Sequence, residues 1–209
     1  MHIYWHGQNC FKIVTKEATI ITDPFGKELG IKPPRTGADI VTISGEDYTA
    51  DNIKNSPLIF DTPGEYEAKR TLIRGLWSHR DNKKGQVRGV NVVFTMEAEG
   101  IRICHLGDIG HLLDEKLENK IDGVDVLMIP VGNKDVIDHK TAIKIVQQIE
   151  PAIIIPMHYQ IPGLKPKLDD AKSFIRELGA QKVKPEDKIR LTKKMIPAEE
   201  TEVKILNPV

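Results

Sequence analysis

The chain has 209 residues, 30 Lys plus Arg against 30 Asp plus Glu, and 40% apolar residues. That length and composition suit one folded domain over residues 1–209 with a real core, and they exclude a disordered chain. A formal net charge of zero removes the long-range field that draws proteins onto nucleic acid or anionic membranes, and the longest apolar runs, 124–131 and 152–157, are too short to cross a bilayer.

The start, Met1-His2-Ile3-Tyr4-Trp5-His6-Gly7, lacks the basic segment and apolar stretch of a secretory signal. Cys10 and Cys104 lie far apart in β-like runs, which reads as two free thiols in a reducing compartment. A cytoplasmic protein is expected.

Up to about residue 105 the pattern is strands and turns. Residues 10–14 and 18–22 are short β-rich runs around a polar turn at 15–17. Residues 39–43 form a strand apolar enough to be buried on both faces. Strands follow at 71–77, 90–98 and 101–104, punctuated by Gly75, Gly89 and Gly100, with a turn at Asp61-Thr62-Pro63-Gly64.

After residue 105 helices and strands alternate. A helix is predicted over 112–120, then an apolar strand over 124–130. Asp138 can cap a helix with Ala142, Ile143, Val146 and Ile149 on its apolar face, ended by Pro151. Residues 152–155 form a buried strand. Leu168, Ala171, Ile175 and Leu178 make a second amphipathic face, stopped by Gly179. Two β-rich runs, 188–191 and 203–206, close a mixed α and β fold.

Three polar clusters each follow an apolar strand directly: Ser78-His79-Arg80-Asp81, His105-Leu106-Gly107-Asp108 and Met157-His158-Tyr159. Strand ends present side chains at the rim of a sheet, where loops build sites on a rigid support. His and Asp are the usual ligands of zinc and similar metals. A lone His or Asp at such a place is more often simply hydrogen-bonded, so spacing alone does not make the three converge. Ser44 and Ser78 have no recognisable base, and no glycine-rich phosphate loop is present.

The motifs resemble those of the metallo-β-lactamase fold, in the branch of small metal-dependent hydrolases that includes ascorbate-phosphate lactonases. The resemblance rests on Trp5-His6-Gly7-Gln8-Asn9-Cys10-Phe11, Thr22-Asp23-Pro24-Phe25, Pro63-Gly64-Glu65-Tyr66-Glu67, His79 with Arg88-Gly89-Val90-Asn91, Cys104-His105-Leu106-Gly107-Asp108 and Ile155-Pro156-Met157-His158-Tyr159. It implies an α/β (α+β) protein: an αββα sandwich of two mixed β-sheets with helices outside and an active site along one rim. It also implies homo-oligomeric assembly, as in the lactonase-like relatives.

The site departs from that family. Where intact members carry a His-x-His-x-Asp-His run, this chain reads Ser44-Gly45-Glu46-Asp47-Tyr48-Thr49-Ala50. By register Gly45 and Asp47 replace two histidines, and Thr49 and Ala50 replace the Asp and the last His. Gln8 replaces the His of the opening turn. Of the family's ligand positions His79, Asp108 and His158 survive, so a two-metal centre is not expected.

Two readings stay open. In one, a single zinc, iron or manganese ion sits on His79, Asp108 and His158, with Asp47 as a further oxygen ligand and Glu46 as an outer base. Asp108 and His158 would then serve the hydrolysis of an ester, lactone or phosphoester. Arg80, Arg88 and Tyr159 would meet the substrate, the basic loop taking a phosphate or carboxylate. In the other, the three residues form a hydrogen-bonded polar cluster in a catalytically inactive relative that binds a small ligand or a protein.

Overall fold

The computed structural model describes residues 1–209 throughout. In chain order the strands are β1 (His2–Gly7), β2 (Cys10–Val14), β3 (Thr19–Thr22), β4 (Ile40–Thr42), β5 (Leu58–Phe60), β6 (Gly64–Ala68), β7 (Thr71–His79), β8 (Val90–Ala98), β9 (Ile101–His105), β10 (Val126–Pro130), β11 (Ile153–Met157), β12 (Ile189–Arg190) and β13 (Glu202–Val203). The helices are α1 (Glu115–Ile121), α2 (His139–Ile149) and α3 (Lys172–Glu177). One sheet runs β12-β1-β2-β3-β4-β5 and the other β13-β11-β10-β9-β8-β7-β6. Both are mixed. β1 to β3 are antiparallel and β3 to β5 parallel; β6 to β9 are antiparallel and β9, β10, β11 and β13 parallel.

Side-chain alternation fixes which face each strand buries. Ile20 pairs with Ile40 and points into the large core between the sheets. Ile21 and Val41, one residue on, point to the opposite face and pack with Cys10, Phe25, Ala38 and Ile53. That outer face is covered by loop residues rather than by a helix. The three helices come from the second half of the chain, where β10 and β11 are buried along their whole length. Parallel strands covered on both faces read as unbroken apolar runs, which is why these two were plain in the sequence.

The caps follow local chemistry. Asp138 accepts from the Thr141 amide at 2.8 Å and starts α2, whose buried face is Ala142, Ile145, Val146 and Ile149. α1 begins at Glu115, later than the predicted 112, because Asp114 caps it through the Leu117 amide. α3 is shorter than predicted: Leu168 and Ala171 are buried before it, and Phe174 is its buried residue. Both cysteines are free and buried, and no helix is long and apolar enough to cross a membrane.

Candidate functional site

The carboxyl ends of the parallel strands β9 and β11 deliver Asp108 and His158 to one rim, the usual place for a site in an open parallel sheet. Across from them, the β1–β2 turn brings Gln8 and Asn9, the end of β3 brings Asp23, and the segment after β4 brings Ser44, Asp47 and Tyr48. Gln8, Asp23 and His158 hold positive φ angles of 49°, 39° and 51°. Left-handed non-glycine backbone costs about 1–3 kcal/mol and gathers at functional sites. Trp5 Nε1 and the His158 amide both donate to the Gln8 carbonyl, at 2.8 and 3.2 Å, and lock the turn against β11.

Asp108 is the centre of the network. Its Oδ1 accepts from Asn9 Nδ2 at 2.7 Å and from the Tyr48 hydroxyl at 2.8 Å, and lies 3.0 Å from His158 Nδ1. Its Oδ2 lies 3.3 Å from Arg80 Nη2, which also bonds Asp47. The Asp108 amide donates to Asn91 Oδ1 at 2.8 Å. Gly107 allows this loop to form: at φ +60, a Cβ there would lie 2.5 Å from Asn91 Oδ1 and 2.6 Å from Ser44 Cβ. Burial would raise the Asp108 carboxyl, but His158, Arg80 and Tyr48 outweigh it and hold the group at about 2.

Behind Asp108, burial pushes Asp23 up to about 8, with the Asp108 charge adding to it and two 2.6 Å bonds from Ser44 opposing. His105 is fully buried and donates from Nε2 to the Asn9 carbonyl at 2.8 Å. Its burial lowers it to about 4.

The expected site residues divide. Asp47, Arg80, Asp108 and His158 line one cavity of about 370 Å³. His79, Arg88 and Tyr159 do not line it. The His79 ring tilts against His111, 5.6 Å between centroids. Arg88 is exposed, and its amide, with those of Lys83, Gly85 and Val87, donates to the Asp81 carboxylate that organises the loop. Glu46 is exposed and does not line the cavity either. Tyr159 packs on Trp5, 5.0 Å between centroids, and burial raises its hydroxyl. Ser78, read as having no base, lies 3.1 Å from His111 Nε2, yet it is 1% exposed and has no access for a substrate.

Asn9 and Tyr48 are the residues that sequence reasoning passed over. Asn9 Oδ1 lies 3.0 Å from His158 Nδ1 while its Nδ2 reaches Asp108 and the Tyr48 hydroxyl, so one amide ties three groups together.

Residues 2–158 match the family described as the beta-lactamase superfamily domain. The chain belongs to that superfamily. A crystal structure from Thermotoga maritima, of a protein assigned to the zinc-dependent hydrolases of the metallo-β-lactamase superfamily, is 32% identical with a TM-score of 0.82 over 98% of each chain. A UPF0173 metal-dependent hydrolase of Thermoplasma acidophilum is 27% identical over 189 residues, 76% of this chain and 83% of that protein. A metallo hydrolase from Ignicoccus hospitalis, 17% identical with a TM-score of 0.66 over 99% of this chain and 95% of that one, shares the fold.

Such names imply a metal, and this superfamily member's own residues do not fit one. No three His, Cys, Asp or Glu side chains gather as a group able to hold an ion. Between Asp47 and Asp108, where a cation is wanted, stands the guanidinium of Arg80, its side chain 12% exposed.

Proposed function

We propose that this superfamily member is a small-molecule-binding protein whose rim site is held together by Arg80 in place of metal ions. The observation that carries the reading is the Arg80 guanidinium bridging Asp47 and Asp108. A guanidinium is permanently charged and presents several donors in a rigid fork, so it can hold two carboxylates together, though with one positive charge where a divalent ion brings two. Unlike an ion, it offers no open coordination position and lowers the pKa of no bound water. Asp108 then acts as the anchor of a rigid cluster with Asn9, Tyr48 and His158.

A thermal melt tests this. A ligand that binds only the folded state raises the melting temperature, so chelator and added zinc should both leave the transition where it is. A fall with chelator, or a rise of several degrees with equimolar zinc, would overturn the reading.

A second reading is supported by the names of the relatives and by the 3.0 Å Asp108–His158 contact at the cavity. It is single-metal hydrolysis of an ester, lactone or phosphoester, with Arg80 swung aside. It predicts turnover that needs added metal and is abolished by His158→Ala.

A further inference from the structure

Asp108 holds two cavity-lining side chains at once. Its Oδ1 lies 3.0 Å from His158 Nδ1 and its Oδ2 lies 3.3 Å from Arg80 Nη2, so an imidazole and a cation stand side by side on one carboxylate. His158 Nδ1 faces a second acceptor, Asn9 Oδ1, also at 3.0 Å, and so carries the proton. In the neutral ring Nε2 is then the nitrogen with the lone pair. His158 is 6% exposed, yet Nε2 makes no hydrogen bond within the chain and is not closed to solvent, and the residue lines the cavity. An imidazole fixed on one nitrogen by a carboxylate and bare on the other is the arrangement of a general base held in one tautomer. Arg80 uses Nη2 for both Asp47 and Asp108, which leaves Nη1 without a protein partner and open to solvent.

We propose that His158 Nε2 is a general base that activates water against an uncharged carboxylic ester with no metal ion, Arg80 Nη1 donating to the ester carbonyl oxygen. Nε2 takes a proton from the water as the water oxygen bonds to the carbonyl carbon, and the carbonyl electron pair moves onto the oxygen beside Arg80. When that pair returns, the bond to the alcohol oxygen breaks, and the leaving oxygen takes the proton from Nε2. Ester and water become acid and alcohol, and the ring is neutral again. Asp108 keeps the Nδ1 proton in place and offsets the imidazolium charge formed on the way. Charge selects the substrate: Glu28, Asp47, Asp108 and Asp135 line the same cavity against one arginine, so a phosphate ester would bring its negative charge among four carboxylates. The inference rests on the reading that Arg80 replaces the metal.

The test uses tag-free protein of measured metal content and follows multiple-turnover hydrolysis of p-nitrophenyl acetate beside that of p-nitrophenyl phosphate. The acetate should be turned over at the same rate with and without excess chelator, and the phosphate not at all. His158→Gln should lower the rate by about a hundredfold or more, the usual scale for a general base. His139→Gln, at the start of α2 and outside the cavity, should keep it. Because His158 also belongs to the inner network, a second readout uses the unaltered chain. Diethyl pyrocarbonate, which acylates free imidazole nitrogen, should modify His158 and stop turnover, and hydroxylamine should reverse both. The proposal is overturned if metal-free protein does not turn over the acetate, if folded His158→Gln keeps the rate, if the phosphate is hydrolysed as fast, or if the reagent spares His158. A stoichiometric metal with activity lost to chelator would instead overturn the underlying reading of Arg80, and the metal-free base with it.

Discussion

Around Asp108 both carboxylate oxygens and the backbone amide are matched by the protein itself. Elsewhere on the same cavity Gln8 Oε1 has no partner, the exposed Glu28 carboxylate accepts only from the nearby Gly26 amide at 2.8 Å, and Asp135 is exposed. The inner half of the rim is therefore architecture, completed by folding. The outer half is exposed and carries no comparable network. Substitutions in the two halves should differ in size: inner ones cost stability, and outer ones should leave it nearly unchanged.

The largest effect is expected at the centre of the inner half. Asp108→Ala leaves Arg80 without a buried partner and strips an acceptor from Asn9, Tyr48 and His158. Breaking a buried ion pair on one side costs about 3–5 kcal/mol, which urea unfolding would measure. A loss below about 1 kcal/mol would mean that the inner network does not support the fold.

Asp23 and His105 behind Asp108, with the half-buried His6, predict a stability maximum near pH 6.5. Burial lowers His6 and His105 to about 4 from 6.5, so on acidification the unfolded chain takes up protons that the folded chain refuses. Asp23 has the opposite sign. Its folded value of about 8 means that the folded chain keeps a proton the unfolded chain has lost, and stability falls as pH rises towards 8. With two groups against one below pH 6.5 and Asp23 alone above it, the net losses are about 3 kcal/mol down to pH 4 and about 2 kcal/mol up to pH 8. Melting curves across that range check both arms, and Asp23→Asn should flatten the alkaline arm and steepen the acid one.

The smallest effect on folding belongs to the outer half. Glu28→Gln with Asp135→Asn should change stability by no more than about 0.5 kcal/mol, as expected for exposed positions. A larger loss in unfolding experiments would make these carboxylates structural and erase the contrast between the halves.

The sequence carried the sandwich because its strongest signals are local. The apolar runs of β10 and β11, the Asp138 cap and the glycine-punctuated strands before residue 105 each specify structure within a few residues. β5 escaped notice because Leu58 to Phe60 is a short edge strand with Leu58 and Ile59 about half exposed. Within the site, Asp108 and His158 were legible as polar residues ending apolar strands. Arg80 was read as a substrate contact because nothing in a linear sequence shows a guanidinium turning inward between two distant carboxylates. Tyr48 sat in full view inside the altered 45–50 segment, where the search for lost metal ligands counted Asp47 and Thr49 on either side of it. Asn9 gives no titratable or metal-binding signal, and its importance comes only from the three groups its amide reaches.

The most direct test of Arg80 as the stand-in cation is elemental analysis of tag-free protein, produced with zinc in the medium and never exposed to chelator. Zinc, iron and manganese should each fall far below one ion per chain. One or two ions per chain, retained through dialysis and lost in Asp108→Ala, would show that a metal displaces Arg80 and that the site works as the names of its relatives suggest.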